Sequence, residues 1–297
     1  MSHPWAVDHG CPASCAAQPD PRVPPGELAL RYAALAYTLS RAVARGGRLA
    51  QPRVLRGEAR AVLGALGVRL EVVRAEAVRA EAVRAEAARS EAVRGGRLSA
   101  GGRGAGTLVV ANHISWLDVV ALLAVEPVSV LAKREVGRWP LIGTLARRAG
   151  TRFIDRERSP RRLPYAVAEL ARDLRGGTSV LVFPQATTWC TAGGGGFRRA
   201  AFQAAVDAAA PVRPVTVEYR QGGATVTAAA FLGEEDFTAS LRRVAAASDL
   251  TVRVTLHDPL TGTDRRTLAE AARRAVAGVA APLAGRPRER INSASTA

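Results

Sequence analysis

A chain of 297 residues, 48% hydrophobic and 23% charged, has a globular rather than a disordered composition, and an aromatic share of 5% leaves alanine to fill much of the core. The formal charge of +16 attracts polyanions; with no nucleic-acid module and no interleaved aromatics legible, an anionic membrane surface is the expected partner and nucleic acid is not. No run approaches the roughly 18 uncharged apolar residues of a membrane-crossing helix, and three cysteines make no disulfide framework, so a reduced, cytoplasmic protein is expected.

Residues 1–26 are proline-rich and aperiodic and read as a flexible leader; residues 1–12 lack the basic-then-apolar order of a signal peptide. His3, His9, Cys11 and Cys15 are zinc-ligand types, but their spacing matches no zinc pattern, so the leader is taken as inert and no metal is assigned. Over 27–45 the pattern turns helical, with Leu28, Tyr32, Leu35, Leu39 and Ala42 on one face and Arg31, Thr38, Arg41 and Arg45 on another. Such a helix can lie in a membrane interface or pack on a domain core, and periodicity leaves both open. Gly46-Gly47 ends it and a second helix is expected over 53–66, so 27–66 forms an amphipathic two-helix segment, expected to dock on a membrane.

An α/β domain is expected over 67–284, with a tail at 285–297. Residues 71–95 are an imperfect pentapeptide repeat, EVVRA, EAVRA, EAVRA, EAARS, EAVRG. Each five-residue step turns a helix by about 500°, so the valines spiral and make no stripe; a solvated helical insertion is expected. From residue 106 onward the runs TLVVAN, VSVLAK, TRFID, SVLVFP, VRPVTVEY, ATVTAAAFL and LTVRVTLH alternate with helical stretches, which indicates a mixed sheet covered by helices. The last helix is expected over 265–281, with Pro282 as its stop.

One constellation carries chemistry. Asn112-His113-Ile114-Ser115-Trp116-Leu117-Asp118 sits where a strand gives way to a helix, and strand ends are where α/β sheets build sites. Asp118 can accept from one nitrogen of His113 and leave the other as a base. No serine or cysteine nucleophile stands in a matching motif, which suits direct activation of a substrate hydroxyl. Ser115-x-x-Asp118 also fits a helix capping box, so the aspartate has a structural reading too.

The motif is followed in order by Phe153-Ile154-Asp155-Arg156, Phe183-Pro184 and Val212-Arg213-Pro214-Val215. Over about 108–219 this resembles the glycerolipid acyltransferase family, specifically bacterial 1-acylglycerol-3-phosphate acyltransferases and their lyso-ornithine-lipid relatives. The resemblance implies that His113 deprotonates the free hydroxyl of a lysolipid acceptor, which attacks the thioester of an acyl carrier protein or coenzyme A, with Asp118 orienting His113. It implies substrate contacts at Asn112, Lys133, Arg156, Gln185, Thr187 and Thr188, no metal or other cofactor, and a place at the cytoplasmic face of the cell membrane. The acceptor expected first is 1-acylglycerol-3-phosphate; lyso-ornithine lipid, or lipid binding without turnover, are the alternatives.

The third block departs from the family's Phe-Pro-Glu-Gly-Thr-Arg pattern, reading Phe183-Pro184-Gln185-Ala186-Thr187-Thr188. Gln185 cannot supply a negative charge, Ala186 is disfavoured if the position needs a positive φ, and Thr188 replaces an arginine linked to the acceptor phosphate. Gly193 to Gly196 read as a mobile rim, and Phe197-Arg198-Arg199 open a helix whose N-terminus can face an anion. Phe202, Val206 and Ala209 read as core, Cys190 as structural and His257 as a satisfied or surface histidine.

Overall fold

In a computed structural model, the structure describes residues 11–76, 96–100, 104–154 and 163–278. The β-branched runs become strands β1 Arg69–Arg74, β2 Leu108–Ala111, β3 Ser129–Lys133, β4 Arg152–Ile154, β5 Val180–Val182, β6 Val212–Gln221, β7 Ala224–Thr225 and β8 Thr251–Leu256. They form one sheet in the order β1-β8-β6-β2-β5-β3-β4, with β7 paired to β6. β6 runs parallel to β2 and antiparallel to β8, so the sheet is mixed.

The helices among the described residues are α1 Pro25–Ala44, α2 Pro52–Ala65, α3 Leu117–Val125, α4 Pro140–Arg148, α5 Leu163–Arg175, α6 Ala200–Asp207, α7 Phe237–Ala246 and α8 Arg265–Ala277. The period of two along each strand sorts its side chains into two cores. Val109, Ala111, Val215, Val217, Tyr219, Val252 and Val254 pack with α2, α3 and α7, whereas Leu108, Val110, Val180, Val182 and Val212 pack with α5, α6 and α8. Asp264 caps α8 by accepting from the N–H groups of Arg266 and Thr267, as the sequence of a helix start requires; Pro282 lies outside the described residues.

Four expectations change. Residues 71–74 are strand, not helix: β1 pairs parallel to β8, with Val72 opposite Val254, and Glu71 takes both nitrogens of the Arg253 fork at 2.9 and 3.0 Å. The sequence sign was in the first repeat unit, where Val72-Val73 stands in place of the later Ala-Val; residues 77–95 lie outside the described residues. The run ATVTAAAFL yields only two strand residues, because Ala228, Ala229 and Ala230 are buried in a loop whose Phe231 N–H bonds the Ile114 carbonyl at 2.9 Å. The leader is not loose over 11–24: Ala17 N–H donates to Thr227 Oγ1 at 3.0 Å, Val23 N–H to the Ala246 carbonyl at 2.9 Å, and Arg22 bridges Ala247.

The fourth change concerns α1, which packs on the core through its apolar face and turns Arg31 inward. Arg31 donates to the carbonyls of Leu66, Ala245 and Ala247 at 2.8–3.0 Å. Arg41 and Arg45 both hold the buried carboxylate of Glu58 on α2, at 2.8 and 3.2 Å. Thr38, expected on the polar face, is buried and donates to the Ala34 carbonyl. Beside exposed Glu27 and Ser40, α1 leaves three large apolar side chains outward, Leu30, Tyr37 and Val43. No helix among the described residues is long and apolar enough to cross a membrane.

Candidate active site

The central strand β2 is buried along its length and delivers residues 112–118 to the C-terminal edge of the parallel part of the sheet. Asn112 closes the strand: its side-chain N–H donates to the Val217 carbonyl at 2.9 Å and its oxygen accepts from Val217 N–H at 2.7 Å. With no exposure and both ends of its amide bound to β6, Asn112 holds the turn and is not the substrate contact expected of it.

The turn brings His113 and Asp118 together. His113 Nδ1 lies 2.9 Å from Asp118 Oδ2, the carboxylate is fully buried, and the imidazole is 22% exposed. The same Oδ2 accepts from the backbone N–H groups of Ile114 at 2.7 Å and Ser115 at 2.9 Å. Both sequence readings of Asp118 therefore hold at once, since the carboxylate closes the first turn of α3 as a capping residue does while fixing the imidazole. The N-terminus of α3 also favours a negative charge there. Phe183 stacks on the imidazole with ring centroids 4.0 Å apart and 21° between planes, which fixes the ring's tilt. An acceptor on Nδ1–H leaves Nε2 with its lone pair.

Sequence reasoning missed Tyr219. It is fully buried on β6, two residues beyond Val217, and its hydroxyl donates to Asp118 Oδ1 at 2.7 Å. Burial, then the Asp118 charge, raise its phenol well above the ordinary tyrosine range, so it stays a donor. The available signal was the alternation Val215, Val217, Tyr219 along one face of β6.

The third block forms the wall beside His113. Gln185, expected as a substrate contact, accepts from His113 N–H at 2.7 Å and donates to the Gly194 carbonyl, so both ends of its amide brace the turn. A carboxylate here would face the Gly194 carbonyl lone pair to lone pair, whereas the amide satisfies both neighbours. Ala186 does adopt a positive φ of 66°, a region that costs a non-glycine residue about 1–2 kcal/mol. Thr188 donates its hydroxyl to the Phe231 carbonyl, which commits that proton to the protein. Trp189 N–H donates to the His113 carbonyl at 2.8 Å.

Gly194 and Gly195, part of the expected mobile rim, pack on Trp189. They lie against the Trp189 ring so closely that a Cβ on either would stand 2.6 Å from it, and Gly195 has a φ of 67°. His257 is buried rather than at the surface, with Nε2 2.8 Å from the Thr216 hydroxyl.

His113 opens onto a cavity of about 1600 Å³ that continues between α1, α2, α3 and α4. Its length is lined by apolar side chains such as Leu39, Val62, Val120 and Leu145, and Lys133, Thr187, Thr188, Arg198 and Arg199 reach it as well. Lys133 ends β3, two strands from β2 with β5 between them, so the strand spacing puts its backbone about 10 Å from that of His113. The structure thus brings Lys133, Thr187 and Thr188 to the cavity of His113, while Arg156 lies outside the described residues.

An acyltransferase family model matches residues 74–218. The lyso-ornithine lipid O-acyltransferase of Pseudomonas aeruginosa is 38% identical over 181 residues, 59% of this chain and 69% of that protein. A 1-acyl-sn-glycerol-3-phosphate acyltransferase of Neisseria meningitidis is 38% identical over 149 residues, 50% of this chain and 58% of that protein. The crystal structure of the 1-acyl-sn-glycerophosphate acyltransferase PlsC from Thermotoga maritima shares the fold, with a TM-score of 0.51 at 18% identity over 85% of this chain and 93% of that one.

Replacing Tyr219 by phenylalanine removes a donor from a buried carboxylate and is expected to cost about 1–3 kcal/mol at neutral pH. The phenol's raised folded value means that its stabilising effect is complete below the unfolded value of 10.0 and is lost as pH rises beyond it. Urea denaturation of both proteins at pH 7 and about pH 11 should show the gap between them narrowing at the higher pH. A gap that stays constant would contradict the hydrogen bond.

Proposed function

This chain belongs to the acyltransferase family, and from that premise we propose that it moves a fatty acyl group from a thioester to the free hydroxyl of a lysolipid. The observation that carries the reading is the His113–Asp118 pair, 2.9 Å apart, at the head of a long apolar cavity. The acceptor hydroxyl gives its proton to His113 Nε2 as its oxygen attacks the thioester carbonyl, and the buried carboxylate stabilises the imidazolium that forms. The tetrahedral intermediate then collapses, the carbon–sulfur bond breaks, and the departing thiolate takes the proton back from Nε2. This sequence calls for a base and polar stabilisation of the developing oxyanion rather than redox chemistry. The donor is the thioester of acyl carrier protein or coenzyme A.

The acceptor best matched to the site is 1-acylglycerol-3-phosphate, because Lys133, Arg198 and Arg199 bring positive charge to the cavity that holds His113. One observation favours a second reading, lyso-ornithine lipid: Thr188 takes the place of a phosphate-linked arginine and has its hydroxyl bound to Phe231. The enzyme works at the cytoplasmic face of the membrane without crossing it. Support for docking comes from the outward Leu30, Tyr37 and Val43 of α1 and Leu141 of α4, together with the +16 charge.

Purified protein given labelled acyl thioester and 1-acylglycerol-3-phosphate should form the diacyl product, and His113→Ala should lower the rate by at least about 100-fold with folding intact. Undiminished turnover by His113→Ala would refute the mechanism, and transfer to lyso-ornithine lipid alone would replace the acceptor. Sedimentation with phosphatidylglycerol vesicles should fall in a Leu30→Glu/Tyr37→Glu variant; equal binding by that variant would rule out α1 as the docking face.

A further inference from the structure

The chain has three cysteines in 297 residues, and the fold gathers all of them into one place. Cys11 and Cys15 come from the N-terminal segment, where the single 3-10 turn Ala13–Cys15 bends the chain back on itself. Cys190 comes from the loop after Thr188, 179 residues from Cys11 along the chain, and its Sγ lies 3.3 Å from that of Cys11. The three sulfur atoms all lie within 4.8 Å of one another, and each cysteine is half-buried. A tetrahedral zinc site with metal–sulfur bonds of about 2.3 Å has sulfur–sulfur edges of about 3.8 Å, between the 3.3 Å of the Cys11–Cys190 pair and the 4.8 Å that bounds this cluster.

We propose that Cys11, Cys15 and Cys190 bind a thiolate-seeking divalent cation of the zinc class, and that the metal staples the N-terminal segment to the loop that supports His113. Three convergent sulfurs suit such an ion because each supplies one soft ligand, leaving the fourth position to water or to another group. A disulfide would use two of the thiols and leave the third over. Without a cation the Cys190 thiol resists ionisation: burial, then the neighbouring Cys11 and Cys15, push it up to about 12. A bound cation reverses that balance, so loading releases protons.

The staple acts one residue from the catalytic turn. Trp189, which precedes Cys190, donates its N–H to the His113 carbonyl, and Thr188 before it is tied to Phe231. The segment around Cys11 is held to the α/β domain by the Ala17–Thr227 and Asp20–Gln221 hydrogen bonds. Sequence spacing alone concealed the site, since Cys11 and Cys15 stand beside histidines in the leader while their partner is 175 or more residues further on.

The test is elemental analysis and metal reconstitution of the full chain, purified under reducing conditions without chelator. The expected result is one zinc per chain, reduced at least tenfold in each of Cys11→Ser, Cys15→Ser and Cys190→Ser. Zinc added back to metal-free wild type should raise its melting temperature by about 5 °C. If a serine variant fails to fold, cobalt added to metal-free wild type decides the matter: thiolate-to-cobalt charge-transfer absorption in the near ultraviolet supports the site, and its absence overturns it. Wild type that neither carries nor takes up metal, metal retained in all three variants, or a Cys11–Cys190 disulfide seen in the intact mass of the unreduced protein would each overturn it as well.

Discussion

The site rests on one buried carboxylate. Asp118 sits at the start of α3 with no solvent exposure, and four donors converge on it: the imidazole of His113, the N–H groups of Ile114 and Ser115, and the phenol of Tyr219. They come from three structural commitments. The two backbone donors exist because the chain turns sharply from strand into helix, the phenol because β6 is parallel to β2 and one residue in two faces that core, and the imidazole because it opens the turn. An isolated buried carboxylate would be costly enough to be neutral instead. The fold thus supplies the hydrogen-bond partners that hold a fixed orienting group against the imidazole.

The same economy extends outward from the turn. Asn112 clamps its entry to β6, Gln185 takes its first N–H, and Trp189 takes the His113 carbonyl. The loop that does this carries a conformational cost, the positive φ of Ala186, and is packed tightly enough that Gly194 and Gly195 touch the Trp189 ring. Three side chains whose types suggest substrate binding, Asn112, Gln185 and Thr188, thus spend hydrogen-bonding capacity on positioning. Lys133, Arg198 and Arg199 reach a cavity whose lining is otherwise mostly apolar, a division suited to a molecule with a charged head and a hydrocarbon chain.

How much of this the sequence reveals follows from distance along the chain. The pairing of His113 with Asp118 is legible because both lie within one strand-to-helix turn, five residues apart. The alternation of β-branched runs likewise yields most strands and the mixed sheet. Tyr219 is 101 residues from Asp118, and Asn112 is 105 from Val217, so nothing local distinguishes a structural amide or phenol from a surface one. β1 was hidden because a five-residue repeat overwrites the period of two, and its pairing energy comes from β8, far away in sequence. The arginines of α1 show the same limit, since helical periodicity gives the face on which a side chain lies but not the carbonyls and the Glu58 carboxylate that draw it inward.

The most direct test of the central claim is the tautomer of His113, read by nitrogen-15 NMR of histidine-labelled protein at a pH where the ring is neutral. With Asp118 and its other three donors in place, the proton should reside on Nδ1 and Nε2 should show the shift of an unprotonated nitrogen. A neutral His113 with its proton on Nε2 would mean that the carboxylate does not set the base, and the account of the site would fail.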